Sequence, residues 1–122
     1  MAAKDYYRVI KYIEKLAQNP YLESFYADAI SRALIMPVDL VVVELDKLVH
    51  EEFLIQKYEI RRIPELDIVA TVDDYQELID TEVECEDGVE IITYANIFPI
   101  YYISEEYREI VKNENDKKNL CP

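Results

Sequence analysis

An α+β fold is predicted by two features of this sequence: helical periodicity fills the first 51 residues, and strand-like alternation broken by turn residues fills residues 53–103. A third feature, the Ser104-Glu105-Glu106 step after the last apolar run, starts a short closing helix. A length of 122 residues suits one compact fold, in which 51% hydrophobic content fills a core and 32% charged content coats it. The sequence divides into a helical core with a first strand (residues 1–63), an acidic hairpin region packed on it (64–111), and a polar tail expected to be flexible (112–122).

In the first helix, over 4–18, Tyr6, Val9, Ile10, Ile13, Leu16 and Ala17 share one face, and Arg8, Lys11, Glu14 and Lys15 lie mostly opposite. Asn19 and Pro20 break it. A second helix, over 22–34, carries Phe25, Ala29, Ile30 and Ala33 on one stripe, with Glu23 or Ser24 near its start. Pro37 ends that helix by pushing Met36 out of the α region, and it suits the first turn of a third helix reaching about residue 51. There Val38, Val41, Val42, Leu45, Leu48 and Val49 form the buried stripe, and Asp39, Val43, Glu44, Asp46, Lys47 and His50 the outward face.

Residues 53–63 alternate as the first strand of a hairpin, Pro64-Glu65-Leu66 turn, and 68–72 return. Asp73 or Asp74 then caps a helical turn through Leu78 and Ile79. A second hairpin pairs 81–85 with 89–94 across Glu86-Asp87-Gly88, where the only glycine of the chain supplies a positive φ. The run 97–103 is a strand whose Pro99 predicts a sheet edge or a bulge.

Acidity is concentrated. Eleven of the 26 acidic residues fall within residues 64–90, a stretch with no Lys or Arg, so most of the formal charge of -13 sits in one segment. Such a surface repels phosphate and attracts basic partners. Eleven tyrosines and no tryptophan accompany it, with Tyr94, Tyr101, Tyr102 and Tyr107 near the last strand and Tyr21 beside the second helix. Exposed tyrosines supply rigid amphipathic contact area at a protein interface.

The order of elements, with the stretch PVDLVVVELDKLVHEEFLIQKY over 37–58, resembles the "recognition helix, then wing" pattern of winged-helix domains. Downstream, RRIPELDIVATVDDYQELIDTEVECEDGVEIIT is similar to the two knuckles of a zinc ribbon. The first knuckle, Arg62-Ile63-Pro64-Glu65-Leu66, has no cysteine, and the second keeps Cys85 alone, so the resemblance implies a ribbon without its metal. No metal or other cofactor is expected. Cys85 reads as a small inert hydrophobe, since no cation stands near it in sequence to lower its pKa, and Cys121 lies in the polar tail.

A winged helix implies DNA reading by the third helix, but the outward face there lacks the Arg, Asn or Gln that read base edges. Nucleic acid is therefore an unfavoured partner, kept open by Lys57, Arg61 and Arg62 on the first hairpin strand, which read more readily as charges protecting an edge. Nothing places a nucleophile beside the single His50, and one glycine cannot build a phosphate loop, so no catalysis is expected. No apolar run approaches the roughly 20 residues of a membrane span and no signal sequence opens the chain, so cytoplasmic residence without a membrane partner is expected.

The leading expectation is a non-catalytic adaptor or accessory subunit that docks on the basic surface of a protein partner or on another copy of itself. Candidate contact residues are Asp73, Asp74, Glu77, Asp80, Glu82, Glu84, Glu86, Asp87 and Tyr101, and the apolar 97–103 strand is a candidate to extend a partner sheet. By analogy of shape, such proteins occur in bacterial multi-component systems, including those acting against phage. The alternatives are a DNA-binding regulator using Lys57, Arg61 and Arg62, and an acidic DNA mimic that inhibits a nucleic-acid enzyme.

Overall fold

The computed structural model describes residues 3–86 and 88–120; Asp87 and Cys121, two positions singled out above, lie outside them. The architecture is α+β. Helix α1 (Ala3–Ala17) is followed by a two-residue strand β1 (Ser24–Phe25), helices α2 (Ala27–Leu34) and α3 (Val38–His50), and strands β2 (Leu54–Arg61) and β3 (Ile68–Val72). A short hairpin of β4 (Glu82–Cys85) and β5 (Gly88–Ile91), the strand β6 (Ile97–Ile103) and helix α4 (Glu105–Leu120) complete it, with 3-10 turns at Gln76–Leu78 and Tyr94–Asn96. Four strands form one sheet in the order β1-β6-β2-β3, and β4-β5 form a separate ribbon.

The chain folds as two compact units, Met1–Ile55 with Tyr101–Pro122, and Gln56–Ile100. In the first unit, Val9, Ile13, Ala17, Ile30, Val41, Leu45 and Leu48 form a core with Leu54, Tyr101, Ile103, Tyr107 and Val111. Helical spacing puts the helix residues among them on facing stripes, and their burial is the main stabilising term. Two arginines satisfy helix ends: Arg108 Nη1 donates to the carbonyls of Ala17 (3.1 Å) and Asn19 (2.9 Å) after α1, and Arg8 donates to that of Leu34 at the end of α2.

Several expectations need correction in this unit. The second helix does not begin at residue 22. Phe25 instead pairs with Tyr101 in β6 and stacks on its ring, centroids 5.8 Å apart, and the Ile103 amide donates to the Glu23 carbonyl. Cross-strand pairing and burial of two rings outweigh a weak local helix signal. Ala29 and Ala33 consequently face solvent, leaving Ile30 as the buried residue of α2. On α3, Val38 is exposed and Glu44, assigned to the outward face, is 2% exposed. Ser104 Oγ accepts from the Tyr107 amide at 3.1 Å, the expected cap, but α4 continues to Leu120 instead of ending near residue 111. Once Tyr107 and Val111 anchor it, each further residue adds a backbone hydrogen bond, and Lys, Glu and Asn tolerate solvent on all sides.

The second unit contains the hairpins. Tyr58 pairs with Val72, Glu59 with Thr71 and Ile60 with Ala70, and the register shifts at Arg61, which faces Ile68. The turn closes through the Leu66 amide on the Arg62 carbonyl (2.8 Å) and the Arg62 amide on that of Asp67 (3.1 Å). Asp74 Oδ1 accepts from the Gln76 amide at 2.9 Å as an Asx turn leading into the 3-10 turn, whose N-cap is Tyr75 and not an Asp, and Gly88 has φ 142°, open to glycine alone. Ile60, Ile92 and Ile100 are buried here, with Glu59 and Asn96. Strand β6 is not an edge: it lies between β1 and β2. Its proline is accommodated because β1 covers only Tyr101 and Tyr102, so Pro99 lies beyond the end of that ladder.

Candidate interaction surface

Asn96 organises the acidic unit from inside. The Thr93 side chain and Asn96 form a reciprocal cap, in which the Thr93 amide donates to Asn96 Oδ1 at 2.8 Å. Asn96 Nδ2 donates to the Arg61 carbonyl (2.8 Å) and to Glu90 Oε2 (2.9 Å), and the same carboxylate oxygen accepts from the Ile63 amide at 2.9 Å. Glu90 is thereby turned inward as a structural anchor. It is the one acid of β5, and its neighbours Val89 and Ile91 point the other way.

The β4-β5 register then fixes the composition of the outer ribbon face. Glu82 lies opposite Ile91 and Glu84 opposite Val89, all exposed, while Val83 and Cys85 turn to the partly buried side with Glu90. Val89 and Ile91 are each 59% exposed, so this face alternates carboxylates with aliphatic side chains. Neither aliphatic residue was among the expected contacts, although the period-two alternation of residues 82–91 carries the signal that would place them there.

Asp73, Asp74, Glu77, Asp80 and Glu86 are likewise exposed. Near them an aromatic series runs from Tyr58 to Tyr75 (centroids 4.7 Å apart) and on to Tyr94 (6.1 Å), both contacts edge-to-face, with Tyr94 66% exposed. Tyr101 does not join this surface. At 1% exposure it is a core ring, because the alternation of β6 points it at Phe25.

The three candidate cations are each held by a carboxylate of the same unit. Lys57 Nζ lies 3.5 Å from Asp73, Arg62 Nη1 lies 3.6 Å from Asp67, and Arg61 Nη2 lies 2.6 Å from Glu59 with its guanidinium 5.0 Å from the Phe98 ring centroid. Glu59 is buried, so the Arg61 pair is the strongest of the three. His50 is exposed at the end of α3, beside a cleft of about 340 Å³ that Tyr6, Ile10 and Asp46 also line.

Among the described residues, no group of three or more His, Cys, Asp or Glu is arranged to hold a metal ion. No helix there is long and apolar enough to cross a membrane. No family model, no curated protein and no solved structure matches this chain.

Proposed function

We propose that this chain is a non-catalytic winged-helix adaptor whose acidic second unit docks on a basic surface of a protein partner. The winged-helix part of the reading is supported by the order α1, α2, α3 and then the β2-β3 hairpin. The observation that carries the functional part is an asymmetry of charge within one unit. Lys57, Arg61 and Arg62 each face a carboxylate, whereas Asp74, Glu77, Asp80, Glu82, Glu84 and Glu86 stand exposed and the Asp73 side chain, though paired with Lys57, is 84% exposed. Moving those cations onto phosphates would break internal pairs and bring DNA against surplus negative charge, so repulsion offsets the gain from counterion release, whereas a basic protein surface is complementary. Val89, Ile91 and Tyr94 add the apolar contact area that an interface core needs.

The test is capture of the tagged full chain's partners from its own cell lysate, at low and high salt and with nuclease in parallel, using the native chain and a Glu82→Lys/Glu84→Lys/Asp80→Lys variant. The adaptor reading expects one partner that survives nuclease, weakens with salt and is lost with the variant. Recovery of one DNA sequence, abolished by nuclease and by Lys57→Ala/Arg61→Ala/Arg62→Ala, would replace it with the regulator reading.

A further inference from the structure

We infer that β3 is the docking edge, and that its occupant is an extended segment of the partner, flanked by Lys or Arg, which adds to the sheet as a further strand. The inference rests on the proposed binding of a basic protein and names where and how that protein engages.

Strand β3 is the last in the order β1-β6-β2-β3, paired with β2 alone. Among the described residues, no backbone hydrogen bond from outside the sheet reaches 68–72. An edge strand in this condition offers a row of unpaired amides and carbonyls. Its sequence, IVATV, contains no charge, proline or glycine, so those guards against added strands are missing, and the irregularity at Val69 near its start is the guard it does carry. The register shift lies at the Ile68 end, leaving Ala70, Thr71 and Val72 in regular pairing. Ile68, Ala70 and Thr71 are exposed, as expected where nothing covers the edge.

Charge selects the occupant. Asp67 stands just before the strand, and Asp73 and Asp74 just after it. Asp67 shares Arg62 and Asp73 shares Lys57, yet the Asp73 side chain is 84% exposed, and Asp74 spends one oxygen on the Gln76 amide. A second copy adding antiparallel through β3 would bring Asp67 against Asp73 and Asp74 of its mate at both ends, an arrangement of like charges. A segment with a cation at each end is instead complementary at both. At about 3.3 Å per residue, Asp67 and Asp73 lie on the order of 20 Å apart along the strand. The matching occupant has five uncharged, β-favouring residues between two basic ones, with main-chain bonds giving affinity and the ends giving direction and selectivity.

The experiment uses the full chain labelled with 15N and a synthetic heptapeptide, Lys-Thr-Val-Thr-Val-Thr-Lys, at low salt. Expected are slowed amide exchange and shift changes concentrated in 68–72, and affinity reduced about fivefold to tenfold in Asp67→Asn/Asp73→Asn/Asp74→Asn, the two lysines each losing an exposed carboxylate partner of modest worth. Equal binding of a Glu-ended peptide, or of one with a central proline, would overturn the inference. So would a dimer formed through β3, detected by sedimentation at tens of micromolar, which gives the edge to a second copy. Shifts confined to Glu82, Glu84 and Tyr94 would overturn the β3 edge while leaving the adaptor reading standing, and no response to any basic peptide would count against both.

Discussion

Lys47 Nζ sits 3.0 Å from Glu44 Oε1 one turn back on α3, and the other carboxylate oxygen of this buried residue has no hydrogen-bond partner among the described residues. One carboxylate oxygen is thus left in the core without a hydrogen bond to offset its desolvation. Glu44→Met is expected to leave stability unchanged or raise it by about 1 kcal/mol, because a similar volume is kept without the charge. Lys47→Ala is expected to lower it by about 1 kcal/mol, the low end because the lysine side chain is more than half exposed. Urea midpoints of the two variants test the pair.

The Asn96 side chain binds four groups at once: the Arg61 carbonyl, the Glu90 carboxylate, and the amide and hydroxyl of Thr93. Replacing it with Ala leaves buried polar groups unsatisfied, and about 2–3 kcal/mol of stability is expected to be lost. Asn96→Asp is expected to do no better, since it loses the donor and faces Glu90. Denaturant unfolding followed by tyrosine fluorescence reports both.

Ile35 ends α2 at φ 54°, ψ 56°, a left-handed conformation that a β-branched residue resists, and it is 91% exposed. Its side chain contributes little packing to offset that strain. Ile35→Gly is therefore expected to stabilise the chain by about 1 kcal/mol, raising Tm by a few degrees. A calorimetric scan showing a lower Tm would contradict this.

Burial pushes the Tyr107 phenol well above its usual range, and Glu14, Glu114, Glu51 and Tyr6 add to the effect. Folding thus favours the neutral phenol. The associated stability is complete below the ordinary tyrosine value near 10 and is lost as pH rises from there toward the folded value. Tyr107→Phe, which keeps the ring stacked on Phe53 at 4.9 Å, is expected to be nearly neutral at pH 7 and to flatten the alkaline loss. Stability measured from about pH 8 to about pH 11.5 in both proteins makes the comparison.

The periodicity of α1 and α3, the Pro37 break and the glycine turn at residue 88 were legible in sequence because each rests on local backbone rules. Phe25 and Tyr101 were not: one was assigned to a helix and the other to a surface, since what places them is a pairing between segments far apart in the chain. Of the site, the concentration of acids was plain from composition, but composition does not show that Glu90, at the end of that acidic stretch, turns inward to Ile63 and Asn96. The open edge of β3 depends on strand order, which alternation alone does not encode.

The central claim is that the acidic face of the second unit, and not the Lys57, Arg61 and Arg62 group, meets the partner. A single comparison addresses it most directly: amide shift maps of the 15N-labelled full chain titrated with a basic decapeptide and, separately, with a 20-base-pair duplex. The account predicts peptide-induced shifts within residues 67–91, sparing the acids Glu105, Glu106 and Glu109 of α4, and no response to the duplex. Micromolar binding of the duplex with shifts at Lys57, Arg61 and Arg62 would contradict it.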